Sequence, residues 1–291
     1  MRIGVVGVGE MGLAMAGHLL DKGFDVAAFD IDAGRLSAAG ARGAAVASSL
    51  EDLASRAEIF ILVVATDDQV RDVTRVLSEH GPAGAIIVTA ATNAPDRMRE
   101  NGEIAEAGGK RFVDAPVVYG AAGAREGNLL SLCGGEAADV ERVKPVLMAY
   151  SRDVLHIGAL GAGQVAKACN NLLHWVHCVS NFEALAIAKR YGVDAQRMRE
   201  VLLECPAQNG TLRRWDTTRF TWQEKDMDLT MDMAQKAGLM LPLAGQVDQL
   251  VKRLTAADVK ALLYGEEASY LGQPIRAMPR EEGGLGTGTS Q

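Results

Sequence analysis

The chain is poor in aromatic residues, proline and cysteine, has no surplus of positive charge, and lacks any long apolar run free of polar interruption. Each shortage excludes something. With 30 basic against 37 acidic residues there is no basic stripe to neutralise phosphates, so nucleic acid is not expected as a partner. Four cysteines without a CxxC pair give neither a disulfide framework nor a zinc ribbon, and read as reduced core thiols. Eight prolines and no triplet period exclude a collagenous chain, although glycine stands at 32 residues, above the usual share of about 7%. That surplus points to backbone brought close to a ligand. Met1-Arg2 and the run ending Ala14-Met15-Ala16 mimic a secretory leader, but Gly4, Gly7, Gly9 and Glu10 break it. The expectation is a cytoplasmic, enzyme-sized chain with no leader and no membrane span.

What is present divides in two near residue 162. Before it, apolar strand-like runs (Arg2–Gly7, Asp25–Asp30, Ile59–Ala65, Ala85–Thr89, Arg111–Ala115) alternate with amphipathic stretches, with Leu129–Cys133 and Val154–Ile157 as later strand candidates. This alternation predicts an α/β domain over 1–162 with a doubly wound, Rossmann-type parallel sheet. Charge follows the same division: 22 acidic and 15 basic residues up to Leu160, then 15 of each. Beyond the boundary, Gly163 to about Tyr191 reads as one long helix, apolar on most faces. Its Lys167, Asn170, Asn171, His174, Asn181 and Glu183 make a membrane span too costly. Helical patterns at Ala195–Cys205, Lys225–Ala237 and Leu243–Ala257 predict an all-α domain over 163–278 built on that helix, and a disordered tail over 279–291. A helix so apolar on all sides asks for a partner subunit.

Gly7-Val8-Gly9-Glu10-Met11-Gly12 is a G-x-G-x-x-G that ends the first strand and opens a helix. Its glycines suit a tight turn, backbone approach to a pyrophosphate and close helix–strand packing. Asp30, at the end of the second strand, is placed to accept hydrogen bonds from a ribose diol and to repel a 2′-phosphate. This favours NAD over NADP, although Arg35 is near enough in sequence to reach a phosphate. On the long helix, Lys167, Asn171 and His174 share one stripe. That stripe reads either as a lysine acid/base with a positioning amide, or as a snorkelling lysine and a core histidine. His174, His177 and Cys178 have metal-like spacing but no carboxylate with them, so no metal is expected.

Four ordered blocks then resemble the β-hydroxyacid dehydrogenase family, the group of 3-hydroxyisobutyrate dehydrogenase and tartronate semialdehyde reductase. They are Gly7 through Ala16, Asp114-Ala-Pro-Val through Gly135, Gly161-Ala-Gly-Gln-Val-Ala-Lys-Ala-Cys-Asn-Asn, and Lys225-Asp226. The resemblance implies an NAD(P)-dependent CH–OH oxidoreductase that forms homodimers or homotetramers. Hydride would pass between the nicotinamide and a small β-hydroxy acid, with Lys167 as the catalytic acid/base and Asn171 on the substrate. It also places Gly7, Gly9, Glu10, Met11, Gly12, Asp30, Ala65, Thr66, Thr92 and Lys225 on the cofactor. One block departs from the pattern. Where the family reads Ser-Gly-Gly after D-A-P-V, this chain reads Val118-Tyr119-Gly120, so altered substrate choice is expected, with Tyr119 or His174 standing in for the serine. Two other readings stay open: an imine reductase-like NAD(P)H enzyme, and a non-catalytic nucleotide-binding protein of the same fold.

Overall fold

The apolar runs of the first half become strands of a nine-stranded sheet in a computed structural model, which describes residues 1–285. Strands β1 (Arg2–Val6), β2 (Asp25–Phe29), β3 (Ala45–Val46), β4 (Ile59–Leu62), β5 (Ile86–Thr89) and β6 (Arg111–Asp114) lie parallel in the order β3-β2-β1-β4-β5-β6. Then β7 (Val117–Val118) and β8 (Leu129–Gly134) pair antiparallel, β8 meets β6 antiparallel at Asp114 and Gly134, and β9 (Ser151–Gly158) runs parallel to β8. Helices α1 (Glu10–Asp21), α2 (Ala33–Ala41), α3 (Leu50–Arg56), α4 (Asp67–His80), α5 (Pro95–Ala107), α6 (Gly120–Glu126) and α7 (Ala137–Leu147) join the strands. Strands covered on both faces read as unbroken apolar runs, which is why β4 is IFIL and β5 IIVT. Side chains alternate across the sheet: Ile3 and Val5 enter one core with Met15 and Leu19, whereas Val6 enters another with Leu62 and Leu77.

Helix α8 (Ala162–Arg190) follows, unbroken over 29 residues. The chain divides into two units, and the division falls after Lys167 rather than at the helix start. The first helical turn is bonded into the sheet unit through Gly161 and Gln164, which is the physical reason for the shift.

In the second unit α8 is followed by α9 (Ala195–Leu203), α10 (Gly210–Arg213), α11 (Gln223–Lys236), α12 (Pro242–Val251) and α13 (Ala256–Tyr264). Trp175, Cys178, Phe182 and Leu185 of α8 pack there with Trp215, Met227 and Leu262. Three expectations are corrected here. The unit is not wholly helical: β10 (Ala268–Tyr270) and β11 (Gln273–Ile275) form a hairpin across Leu271 and Gly272, both at positive φ, as a two-residue turn requires. The single helix expected over Leu243–Ala257 is two, because the chain breaks before Thr255, which caps α13 through a capping box with Asp258. Helix α8 leaves Leu173 and Ile187 exposed in the single chain. The tail expected to be disordered from 279 is held over its described part, where Arg280–Glu282 forms a 3₁₀ turn and the Leu285 N–H donates to the Tyr191 carbonyl. Residues 286–291 lie outside the described residues. Among the described residues no helix is long and apolar enough to cross a membrane.

Candidate active site

Strand order reverses beside β1 and β4, and the crevice at the carboxyl ends of such strands is where open α/β sheets bind ligands. The glycine turn occupies that place. Gly7 sits at φ +87°, and a Cβ there would lie 2.5 Å from the Val63 carbonyl oxygen. A Cβ on Gly12 would overlap the Gly7 carbonyl oxygen, so only glycine lets α1 pack this close to the turn. Gly9, by contrast, faces room: the nearest atom a Cβ would meet is the Arg35 Nη1, 3.8 Å away. Gly9 also caps α1 without any side-chain hydrogen bond, so no side chain at the cap competes for the first amides of the helix, the groups an anion would bind. This cradle fits a dinucleotide pyrophosphate.

Asp30 is 8% exposed, and its Oδ2 accepts the Val8 N–H at 2.8 Å while Oδ1 accepts the Asp32 N–H at 2.9 Å. The carboxylate therefore also holds the turn in shape, which spacing alone did not reveal. Glu10 points outward into an ion pair with Arg125 at 2.6 Å, so only its backbone belongs to the cradle, and Met11 packs on the core. Thr66 turns its hydroxyl to the Gln69 N–H as the cap of α4, and Ala65 N–H donates to Gln69 Oε1 at 2.8 Å.

Thr92 lies in the turn between β5 and α5, and the residues around it are braced. Asn93 Nδ2 donates to Asp67 Oδ1 at 2.7 Å, and Thr89 Oγ1 donates to Asn93 Oδ1 at 3.3 Å. From α8, Gln164 Oε1 accepts the Asn93 N–H and Gln164 Nε2 donates to the Ala91 carbonyl, both at 2.9 Å.

Asp114 ends β6 fully buried. Its Oδ1 accepts the Gly161 N–H at 2.6 Å and its Oδ2 the Gln164 N–H at 2.9 Å, so a strand carboxylate caps the helix that carries Lys167. Side chains at Gly134 or Gly163 would collide with that carboxylate. Burial pushes the Asp114 carboxyl from its ordinary 3.8 up to about 6, against the pull of its N–H donors. The folded protein then keeps a proton that the unfolded chain has already released. Stability owed to the neutral form is complete below about pH 4 and is lost as pH rises through 6. Wild type is therefore expected to lose about 3 kcal/mol relative to Asp114→Asn across that window. Urea unfolding of both proteins from pH 4 to 8 measures it; a difference that does not vary with pH contradicts the expectation.

In the expected substrate loop, Val118 is buried at the end of β7 and Gly120 starts α6. Tyr119 between them adopts φ +83°, a left-handed conformation that glycine takes without strain and that explains the family's glycine there. Its hydroxyl accepts from Arg152 Nη2 at 2.6 Å, and the guanidinium carbon lies 4.4 Å from the ring centre.

Lys167, half-buried, ends the first unit. In the second unit Asn171 is buried, and its Oδ1 accepts from Asn170 Nδ2 at 3.1 Å. His174 shares a hydrogen bond with Thr211 Oγ1 at 2.9 Å through Nδ1, and its Nε2 lies 3.8 Å from Cys178 Sγ. Burial holds the Cys178 thiol far above its usual range. Lys225 is exposed on α11, and its neighbour Asp226 anchors that helix by accepting from Trp175 Nε1 at 3.1 Å. Sequence reasoning missed Gln164, Asn93, Asp67 and Arg152, none of which stands out by local pattern.

Comparison with known proteins identifies the family. Residues 2–158 match the model for the NAD binding domain of 6-phosphogluconate dehydrogenase, and residues 161–262 match that for NAD-binding of NADP-dependent 3-hydroxyisobutyrate dehydrogenase. A probable 3-hydroxyisobutyrate dehydrogenase of Mycobacterium bovis is 30% identical, over 87% of this chain and 92% of that protein. An NAD-dependent L-serine dehydrogenase of Pseudomonas aeruginosa is 33% identical over 72% of each. The solved structure of the Mycobacterium tuberculosis 3-hydroxyisobutyrate dehydrogenase with L-serine superimposes with a TM-score of 0.82 at 27% identity, covering 90% of this chain and 98% of the other.

Proposed function

Because the chain belongs to the β-hydroxyacid dehydrogenase family and is thus an NAD(P)-dependent oxidoreductase of CH–OH groups, we propose that it interconverts a small β-hydroxy acid and its carbonyl form, with Lys167 as general acid/base. Bound NAD supplies the hydride acceptor at its nicotinamide ring. The chain's own residues do the rest. The N–H groups at the start of α1 hold the pyrophosphate, with the Arg35 guanidinium beside Gly9. Asp30 takes the ribose diol and disfavours a 2′-phosphate, so NAD is used better than NADP. Lys167 accepts the alcohol proton in oxidation and returns it in reduction, and Asn171, one turn further along α8, donates to the substrate oxygen. The family resemblance assigns Lys225 to the cofactor as well. The observation that carries the reading is the pinning of the α8 start by Asp114, one turn before Lys167, inside the unit that holds the glycine cradle.

The substrate loop shifts specificity through Val118 more than through Tyr119. Val118 deprives a substrate carboxylate of the family's serine hydroxyl, whereas the Tyr119 hydroxyl is already engaged by Arg152. One restored hydrogen bond to a charged group contributes about 1.5 kcal/mol, so Val118→Ser is expected to raise kcat/KM for three-carbon β-hydroxy acids about tenfold. Tyr119→Phe is expected to change preferences by less than about threefold. Initial rates over a panel including 3-hydroxyisobutyrate and L-serine compare the two; a larger effect from Tyr119→Phe reverses the assignment. Imine reduction is disfavoured, because Lys167 and Asn171 supply a proton-transfer pair that alcohol oxidation needs. Turnover of cyclic imines but of no β-hydroxy acid would overturn the proposal. The exposed Leu173 and Ile187 of α8 support assembly of the chain with copies of itself as a dimer or tetramer.

A further inference from the structure

Between the segments assigned above to cofactor and to proton transfer lies one buried amide that the reaction itself does not use. Gln164 has no exposed surface, yet an apolar side chain would fill its space against Met98, whose sulfur lies 3.8 Å from Nε2. Packing does not explain an amide there. Its two polar atoms are spent on backbone, the Asn93 N–H and the Ala91 carbonyl, the two residues that flank Thr92. Each end of this link is held in turn. Asp67 and Thr89 bind the Asn93 carboxamide, and Asp114 accepts the N–H of Gln164 itself. A buried polar network with every member satisfied is rigid. Gln164 also precedes Lys167 by three residues, so the two share a side of the helix.

We propose that Gln164 is a positioning residue for hydride and proton transfer: it sets the Ala91–Asn93 turn against the helical turn that carries Lys167. The proposal rests on the dehydrogenase reading above. Its physical basis is that misplacement of reacting groups by about 1 Å costs on the order of a hundredfold in rate, while a fixed two-point link to backbone allows little displacement.

Two variants separate the link's parts. Gln164→Leu removes both hydrogen bonds, and Gln164→Glu keeps an acceptor for the Asn93 N–H but sets an oxygen against the Ala91 carbonyl. In the protein without cofactor, hydrogen exchange at the Asn93 amide is expected to accelerate at least about tenfold in Gln164→Leu and to stay within about threefold of wild type in Gln164→Glu. With NAD and the best β-hydroxy acid of the panel, kcat is expected to fall about thirtyfold in both. The NADH Kd should move less than about threefold, and the primary deuterium isotope effect should rise as hydride transfer becomes slower. Faster exchange with unchanged kcat and isotope effect would reduce Gln164 to a structural pin and overturn the proposal. So would a rise in NADH Kd with kcat preserved, which would make it an affinity residue. If Gln164→Leu does not fold, Gln164→Glu decides through kcat and the isotope effect. A wild type inert toward every β-hydroxy acid overturns the dehydrogenase reading and the catalytic half of this proposal together, whereas an active wild type with fully active variants overturns the positioning role alone.

Discussion

Lys167→Ala lowers kcat by about a hundred- to ten-thousand-fold, the span that general acid/base groups contribute, while NADH affinity stays within about threefold. This expected result follows from placement. Lys167 sits one turn beyond a helix start that is capped by the Asp114 carboxylate and tied by Gln164 to the turn around Thr92. On the proposed acid/base role, losing the amine would remove the proton's destination without touching the glycine cradle, so binding and chemistry would separate. Lys167→Arg keeps the charge but replaces the amine with a guanidinium that does not give up its proton, and it is expected to be nearly as slow. Steady-state rates, with NADH binding followed by fluorescence, measure both variants. Full activity in Lys167→Ala would end the acid/base assignment.

Gly12→Ala is the second large effect. The added methyl overlaps the carbonyl oxygen of Gly7, a backbone atom that can yield only if the turn itself moves. Overpacking of this kind costs about 3 kcal/mol of stability, and the displaced turn no longer presents its amides to a pyrophosphate. NADH affinity is expected to fall about a hundredfold, equivalent to about 2.7 kcal/mol. Gly245→Ala is the contrasting case. Gly245 lies inside α12 with nothing within 4 Å of the position a Cβ would take, so the change is expected to stabilise the fold by about 0.5–1 kcal/mol. Urea unfolding and NADH titration of the two variants test the contrast. A Gly12→Ala protein that binds NADH normally would show that the cradle is not the pyrophosphate site.

Much of the fold was legible because its signals are local. The strands between helices announce themselves as apolar runs, and the first of them, its glycine turn and α1 lie within twenty residues of one another. Short elements escaped: β3 and β7 have two residues each, too few for periodicity to register. The hairpin of β10 and β11 carries Leu271 at positive φ where asparagine or aspartate would have signalled the turn. Local geometry was legible where a motif sets it, as with the tight turn and close packing at Gly7 and Gly12. It was not legible where a side chain answers a distant one. His174 illustrates the difference, since its helical stripe matches Lys167 and Asn171 while its Nδ1 meets Thr211, 37 residues away.

The amino-acid sequence by itself determined the sheet-forming first half, the mainly helical second half, the glycine turn and the family, all of them properties of neighbouring residues or of ordered blocks. Tertiary structure alone decided the division of α8 after Lys167, the capping of that helix by Asp114 across 47 and 50 residues, and the grip of Gln164 on a turn 71 residues earlier. It alone decided that Tyr119 is engaged by Arg152. Hydrogen bonds between side chains and remote backbone leave no period and no spacing in a sequence, because nothing local requires them. They exist only once the sheet has brought β5, β6 and the start of α8 together.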